Sequence, residues 1–458
     1  MAREMHLGAV PYGAGGPGSH RLWLDPDLPA DASVDIDWYV EVAELAEQGC
    51  FDLMFVVDSQ FITPFSPPHY LNRLEPLTLL SAVAARTRHL GLVGTATTSF
   101  NSPFNLVRRL ASLDLISRGR AGWNVVTTGD AGTAFNYGLD EHADHDTRYA
   151  KAQEFIEVAR GLWDSYEDDA FPRDRESGRF FDPAKQHPLN HEGRFFRVAG
   201  PLNIQRSPQG HPVIFQAGDS DQGRDLGARY GEGIFTHAAD IASGQAFYDD
   251  LKGRARRLGR DADGLVIMPG VQVVIADSDA EARELEAYRH EHDHTFEDAL
   301  GEFGRTFGWH DFTQYDPDAP FPVETLEYAA RSWLTRARQL TQQAQENGWT
   351  LRQAVESTRS VRRSPFVGTP ATVADRLVEW WEARACDGFN IAVDHPSTFR
   401  RFVGEVVPLL QERGALRAEY TSSTLRGHLG IPVPPNRHTL ARAEATPTPS
   451  PDHQPAAL

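Results

Sequence analysis

The 458-residue chain holds only two cysteines, Cys50 and Cys386. They form no Cys-x-x-Cys, which excludes a disulfide framework and a thiolate zinc site. Cations are also in deficit. Lys and Arg total 45 against 64 Asp and Glu, a formal net charge of −19, and no Lys/Arg-rich run interrupts that background. Such a charge repels nucleic acid and anionic membranes, so neither is an expected partner. Long apolar runs are missing as well. Nothing approaches the roughly 18 consecutive apolar residues of a membrane span. Residues 1–12 lack the apolar core of a secretory leader. The cytoplasm is the expected location. Three absent motifs narrow the chemistry further: there is no His-Glu-x-x-His, no Gly-x-Gly-x-x-Gly after a strand, and no Gly-x-Ser-x-Gly elbow. Zinc hydrolases, dinucleotide domains and serine hydrolases of the usual kinds are thereby disfavoured.

What is present is regular alternation. Short, nearly continuous apolar runs at 5–10, 53–57, 90–98, 123–127, 213–216, 233–236, 265–274 and 389–393 read as parallel strands buried on both faces. Amphipathic helical patterns separate them, at about 37–48, 103–119, 148–165, 220–230, 244–258, 371–385 and 396–413. Two stretches break the rhythm: 167–209 is rich in Pro, Asp, Arg and Gly, and 279–365 carries helices without a strand. Setting these and the end of the chain aside leaves a length near the roughly 250 residues of a (β/α)₈ barrel. The expected fold is therefore an α/β barrel of TIM type, one domain over 1–431, with both insertions at its C-terminal face. From 432 onward the chain is Pro-, Thr- and Ala-rich without periodicity, and a disordered tail is expected.

In such a barrel the active site lies where strands end. Asp58-Ser59 follows the second run, Thr95-Ala96-Thr97-Thr98 closes the third, and Asn124 lies in the fourth, which ends in Thr127-Thr128. Gln216-Ala217-Gly218-Asp219-Ser220 closes the fifth and enters a helix, whose N-terminus suits a phosphate. Each alone serves equally well as a helix cap; their convergence on one face favours a binding site. His142, His145 and Tyr149 follow the fourth strand, and the four-residue spacing puts His145 and Tyr149 on one helix face. A second cluster, His290-Glu291-His292-Asp293-His294, reads as a solvated helix face, and no metal site is expected.

These residues sit in longer strings: Glu75-Pro76-Leu77-Thr78-Leu79-Leu80, Gly94-Thr95-Ala96-Thr97-Thr98, Ser117-Arg118-Gly119-Arg120-Ala121-Gly122-Trp123-Asn124-Val125-Val126-Thr127, Ser207-Pro208-Gln209-Gly210-His211-Pro212-Val213-Ile214-Phe215-Gln216-Ala217-Gly218, and Asp387-Gly388-Phe389-Asn390. Over roughly residues 5–432 they resemble the bacterial-luciferase-like flavin-dependent monooxygenases, in the branch of the nitrilotriacetate, dibenzothiophene sulfone and pristinamycin synthase enzymes. The resemblance implies FMN bound non-covalently at the C-terminal face, reduced before it meets O2, and oxygen transfer to a small amine, organosulfur or natural-product substrate through a C4a-(hydro)peroxyflavin. It places Asp58, Thr95 and Asn124 around the isoalloxazine, His145 and Tyr149 at the phosphate and ribityl chain, and Ser220 on the phosphate; His145 is also a candidate proton donor. Tyr137 stands where the family pattern leads one to expect Phe. With no second nucleotide domain in the sequence, a separate NAD(P)H:FMN reductase is the expected partner, alongside assembly into a homodimer or homotetramer. A deazaflavin-dependent oxidoreductase on the same barrel, or a non-catalytic flavin-binding subunit, are the alternatives.

Overall fold

The computed structural model describes residues 3–329, 334–359 and 364–445. The eight apolar runs become eight parallel strands: β1 (His6–Pro11), β2 (Leu53–Val56), β3 (Gly91–Thr97), β4 (Ala121–Val126), β5 (Val213–Gln216), β6 (Gly233–Thr236), β7 (Val266–Val271) and β8 (Gly388–Val393). They pair in chain order and close, with β1 lying along β8 from His6 opposite Gly388 to Pro11 opposite Val393. Alternation across each strand sets its two faces. On β4, Trp123 packs against Phe155 and Trp163 of the following helix, while its neighbour Asn124 bonds to Thr95 on β3.

Helices α1 (Ile36–Gln48), α2 (Pro76–Ala84), α3 (Pro103–Ile116), α4 (His145–Trp163), α5 (Asp221–Tyr230), α6 (Ile241–Arg257) and α7 (Pro370–Glu382) pack outside. Helix α2 has no counterpart in the sequence reading. Leu77, Leu79, Leu80 and Val83 are buried and the outer face, Thr78, Ser81 and Ala82, carries no charge, so its period is only faintly marked. Its start is nonetheless encoded: Pro76 fills the first turn and Glu75 accepts the Thr78 N–H at 2.7 Å.

The two insertions do not share one face. Residues 279–365 leave after β7 and return before α7, and Val274–Ile275 pairs with Val367–Gly368 at their root. They form an outlying helical unit at the C-terminal face with its own core of Phe303, Phe307, Phe312, Phe321, Leu340 and Leu351. Residues 167–209 instead follow the end of α4. A βα-unit helix returns the chain to where the next strand begins, so this insertion lies on the N-terminal side, which corrects the expectation. Its hairpin, His191–Glu192 with Arg197–Val198, is held by Glu154 of α4, which accepts from the Phe195 and Phe196 N–H groups.

The first part of the expected tail, 432–445, departs from expectation, and the stretch before it is docked too. Leu425, Leu429 and Ile431 plug the N-terminal mouth of the barrel against Leu53, Val93, Val213 and Val266. Beyond 432 the chain continues ordered as far as the helix Arg437–Ala445. Asn436, fully buried, donates to the carbonyls of Asp164 and Tyr166 and accepts from the N–H of His438. Arg437 and Arg442 pair with Asp164 and Glu167. Polar docking of this kind leaves no apolar periodicity to read. Residues 446–458 lie outside the described residues. No described helix is long and apolar enough to cross a membrane.

Candidate active site

A cavity of about 230 Å³ opens at the C-terminal ends of the strands, lined by Asp58, Gln60, Thr95, Thr97, Thr128, Asp130, Tyr149, Gln216 and Arg305 among others. Three of the six residues singled out in the sequence, Asp58, Thr95 and Tyr149, therefore form its walls. Asn124 lies one layer below, donating from Nδ2 to Thr95 Oγ1 at 2.9 Å. Its Oδ1 is buried and has no hydrogen-bond partner, an acceptor left over beside the cavity floor.

The remaining two gather at the rim. Helix α4 opens at His145, capped by Asp144, and the expected spacing puts the His145 and Tyr149 rings 4.6 Å apart. The Tyr149 hydroxyl lies 3.4 Å from Ser220 Oγ. Ser220 caps α5, accepting the Gly223 N–H at 3.1 Å. Free helix N–H groups, a hydroxyl and a phenol thus share one corner, a setting suited to an anion. At Gly218, in the turn leading there, a Cβ would stand 2.4 Å from Gln216 Nε2 and would push that amide aside.

Charge is arranged in two pairs. Asp58 meets the Arg73 guanidinium at 3.2 Å, yet burial outweighs that attraction and pushes its carboxyl above the usual aspartate range. Arg73 also donates to the Ser59 carbonyl and stacks on Tyr70. Across the cavity, Asp130 accepts from Arg305 at 2.9 Å and from Trp309 Nε1 at 3.4 Å. Both donors come from the 279–365 insertion, so this pair fastens the insertion to the loop after β4. Nothing in the strand-end reading pointed to Arg305, because it belongs to no βα unit.

Two more features mark the site as specialised. Thr128 sits on the wall with φ of 45°, a left-handed conformation that β-branched residues rarely adopt. Tyr137, the departure noted in the sequence, stacks on Phe100 at 4.7 Å and bonds to Gln60 Oε1 at 2.9 Å, so its hydroxyl links the loop after β4 to the loop after β2.

Comparison with known proteins agrees with this geometry. The family profile described as "Luciferase-like monooxygenase" matches residues 21–387. N-acetyl-S-(2-succino)cysteine monooxygenase of Bacillus subtilis (strain 168) is 43% identical, covering 95% of this chain and 98% of its own. Nitrilotriacetate monooxygenase component A of Aminobacter aminovorans is 41% identical over 90% of this chain and 94% of its own. Among solved structures, a riboflavin lyase with modified FMN and substrate riboflavin superposes with a TM-score of 0.82 at 33% identity, covering 95% of this chain and 98% of that one. This chain belongs to the luciferase-like monooxygenases and is a flavin-dependent monooxygenase.

Proposed function

We propose that the chain is the oxygenase component of a two-component system, using FMNH2 delivered by a separate NAD(P)H:FMN reductase to place one oxygen atom from O2 into a small organic substrate. The observation that carries this reading is the convergence of Asp58, Thr95, Tyr149 and Gln216 on one cavity whose rim is the Ser220–Tyr149 corner. Reduced FMN, when bound, supplies the electrons and activates the oxygen. The protein's own part is placement and dryness. Ser220, the N-terminus of α5 and Tyr149 would hold the phosphate end, with His145 packed beside Tyr149; Thr95 and Asn124 would border the rest of the cofactor, Asn124 offering its spare Oδ1 as an acceptor. His145 is placed at the phosphate end rather than at proton transfer, since its half-exposed ring faces Tyr149 at the rim. The Arg305–Asp130 pair holds the insertion over the cavity and limits water.

Two relatives support a substrate class. N-acetyl-S-(2-succino)cysteine and nitrilotriacetate, named in two of them, are small polycarboxylates bearing a thioether or an amine. A compound of that class is the proposed substrate. Anaerobic titration of the purified chain with reduced FMN, followed by oxygen uptake with N-acetyl-S-(2-succino)cysteine and nitrilotriacetate in turn, tests both parts. Saturable binding of FMNH2 and substrate-stimulated product formation are expected; absence of FMNH2 binding overturns the reading.

A further inference from the structure

The cluster His290 to His294 does not behave as a solvated face. The helix ends at His292, which is exposed and stacks on Tyr288 at 4.0 Å, whereas Asp293 and His294 turn inward. His294, more than nine-tenths buried, faces His20 from the loop after β1 and Glu302 from the helix Phe296–Phe303. Nε2 of His20 lies 2.9 Å from Glu302 Oε1, and Nε2 of His294 lies 3.4 Å from Glu302 Oε2. That His294 nitrogen makes no hydrogen bond, although it is buried. One ligand atom from each of the three residues, a ring nitrogen of each histidine and a carboxylate oxygen of Glu302, lies within 4.8 Å of the other two.

We infer that His20, His294 and Glu302 form a binding site for a divalent transition ion of borderline softness, such as Zn2+. Two imidazoles and one carboxylate are a donor set this class of ion takes, at about 2.0–2.2 Å from each ligand atom. Tetrahedral ligands at that distance are about 3.3 Å apart, which the Glu302 contacts already approach; turning one imidazole closes the rest. The surroundings fit as well. Asp298 Oδ1 lies 3.8 Å from the other ring nitrogen of His20, close enough that a small turn of the ring would make the carboxylate–histidine bond that orients a metal-bound imidazole. A buried imidazole nitrogen left without a hydrogen bond beside a carboxylate costs free energy, and an ion between them satisfies both groups.

The site joins two parts of the chain that lie far apart in sequence. His20 belongs to the loop after β1, and His294 and Glu302 to the insertion, with Arg21 reinforcing the seam through its bonds to Asp293 and Asp298. Three residues after Glu302, Arg305 reaches the cavity wall. An ion here would clip the insertion in the position from which Arg305 meets Asp130. This inference does not depend on the proposed cofactor or substrate.

The test uses the full chain, stripped with a chelator and dialysed, then titrated with Zn2+ by calorimetry and with Co2+ by visible absorption. One equivalent should bind, with Co2+ bands of an N/O site lacking sulfur, and Zn2+ should raise the melting temperature. Separate His20→Ala, His294→Ala and Glu302→Gln variants should each lose at least about 100-fold in affinity, and Asp298→Asn about 10- to 100-fold. No saturable binding to the wild-type chain overturns the inference, as does binding that all four variants retain unchanged. Should the alanine variants fail to fold, X-ray absorption of the wild-type complex decides: two imidazoles and carboxylate oxygen support the site, and any sphere without imidazole overturns it.

Discussion

Replacing Ser220 by alanine separates two roles that one hydroxyl can fill together. Its oxygen accepts the Gly223 N–H at 3.1 Å and so caps α5, while the same O–H remains available to donate, 3.4 Å from the Tyr149 phenol. Loss of the cap alone costs about 1 kcal/mol of folding stability. Loss of a hydrogen bond to a charged phosphate costs about 1.5–3 kcal/mol of affinity, a roughly 10- to 150-fold rise in the dissociation constant of FMNH2 at 1.4 kcal/mol per tenfold. Chemical denaturation reads the first quantity and anaerobic fluorescence titration with reduced FMN reads the second. Ser220→Thr keeps the hydroxyl and should recover most of both. Tyr149→Phe should weaken FMNH2 binding too, and the double variant should lose less than the two singles summed, because both groups meet one ligand. The reasoning is refuted if Ser220→Ala loses stability while its FMNH2 affinity stays as in the wild type; Ser220 would then be a helix cap and nothing more.

Asn436→Ala should cost about 2–4 kcal/mol by denaturation, because it strips the first turn of the last described helix and orphans the Tyr166 carbonyl; a loss below about 0.5 kcal/mol would mean that this segment does not dock in solution. Asp130→Asn should weaken the clasp to Arg305 by about 1–3 kcal/mol, raising hydrogen exchange over residues 296–307 and hydrogen peroxide release while FMNH2 affinity holds; unaltered exchange would show that the pair does not fasten the insertion. Burial holds the His428 imidazole down at about 4, against 6.5 for an unperturbed ring. Its neutral form therefore favours the fold fully above pH 6.5, and that contribution is lost as pH falls from 6.5 toward 4, up to about 3 kcal/mol. His428→Gln should flatten the acid limb of the stability curve, and an identical slope in the variant would rule His428 out as its source.

Legibility in the sequence followed the physics of burial. All eight strands could be read because each is buried on both faces and therefore nearly continuous in apolar residues, and two of them, 213–216 and 233–236, match to the residue. The gathering of Asp58, Thr95, Asn124, His145, Tyr149 and Ser220 at one end followed from barrel geometry, as strand ends and helix starts share a face. Helix α2 was hidden by being too uniformly apolar, and the docked segment after 432 by being too polar. The placement of 167–209 failed for a different reason: a helix, α4, separates it from the fourth strand and carries the chain to the opposite end of the barrel. Arg305 escaped, and the cluster holding His294 was read as a solvated face, because both come from the insertion, whose own core sets its periodicity and gives no hint of which side chains turn toward the barrel.

If this chain activates oxygen with reduced flavin that it does not itself reduce, FMNH2, O2 and substrate suffice for oxygenation. The direct measurement supplies the purified chain with chemically reduced FMN, 18O2 and N-acetyl-S-(2-succino)cysteine, without NAD(P)H or a reductase, and analyses the products by mass spectrometry. One 18O atom per product molecule is predicted, with negligible NADPH oxidation by the chain alone in a parallel assay. Product lacking 18O, or NADPH oxidation by the isolated chain at the rate of turnover, would contradict it.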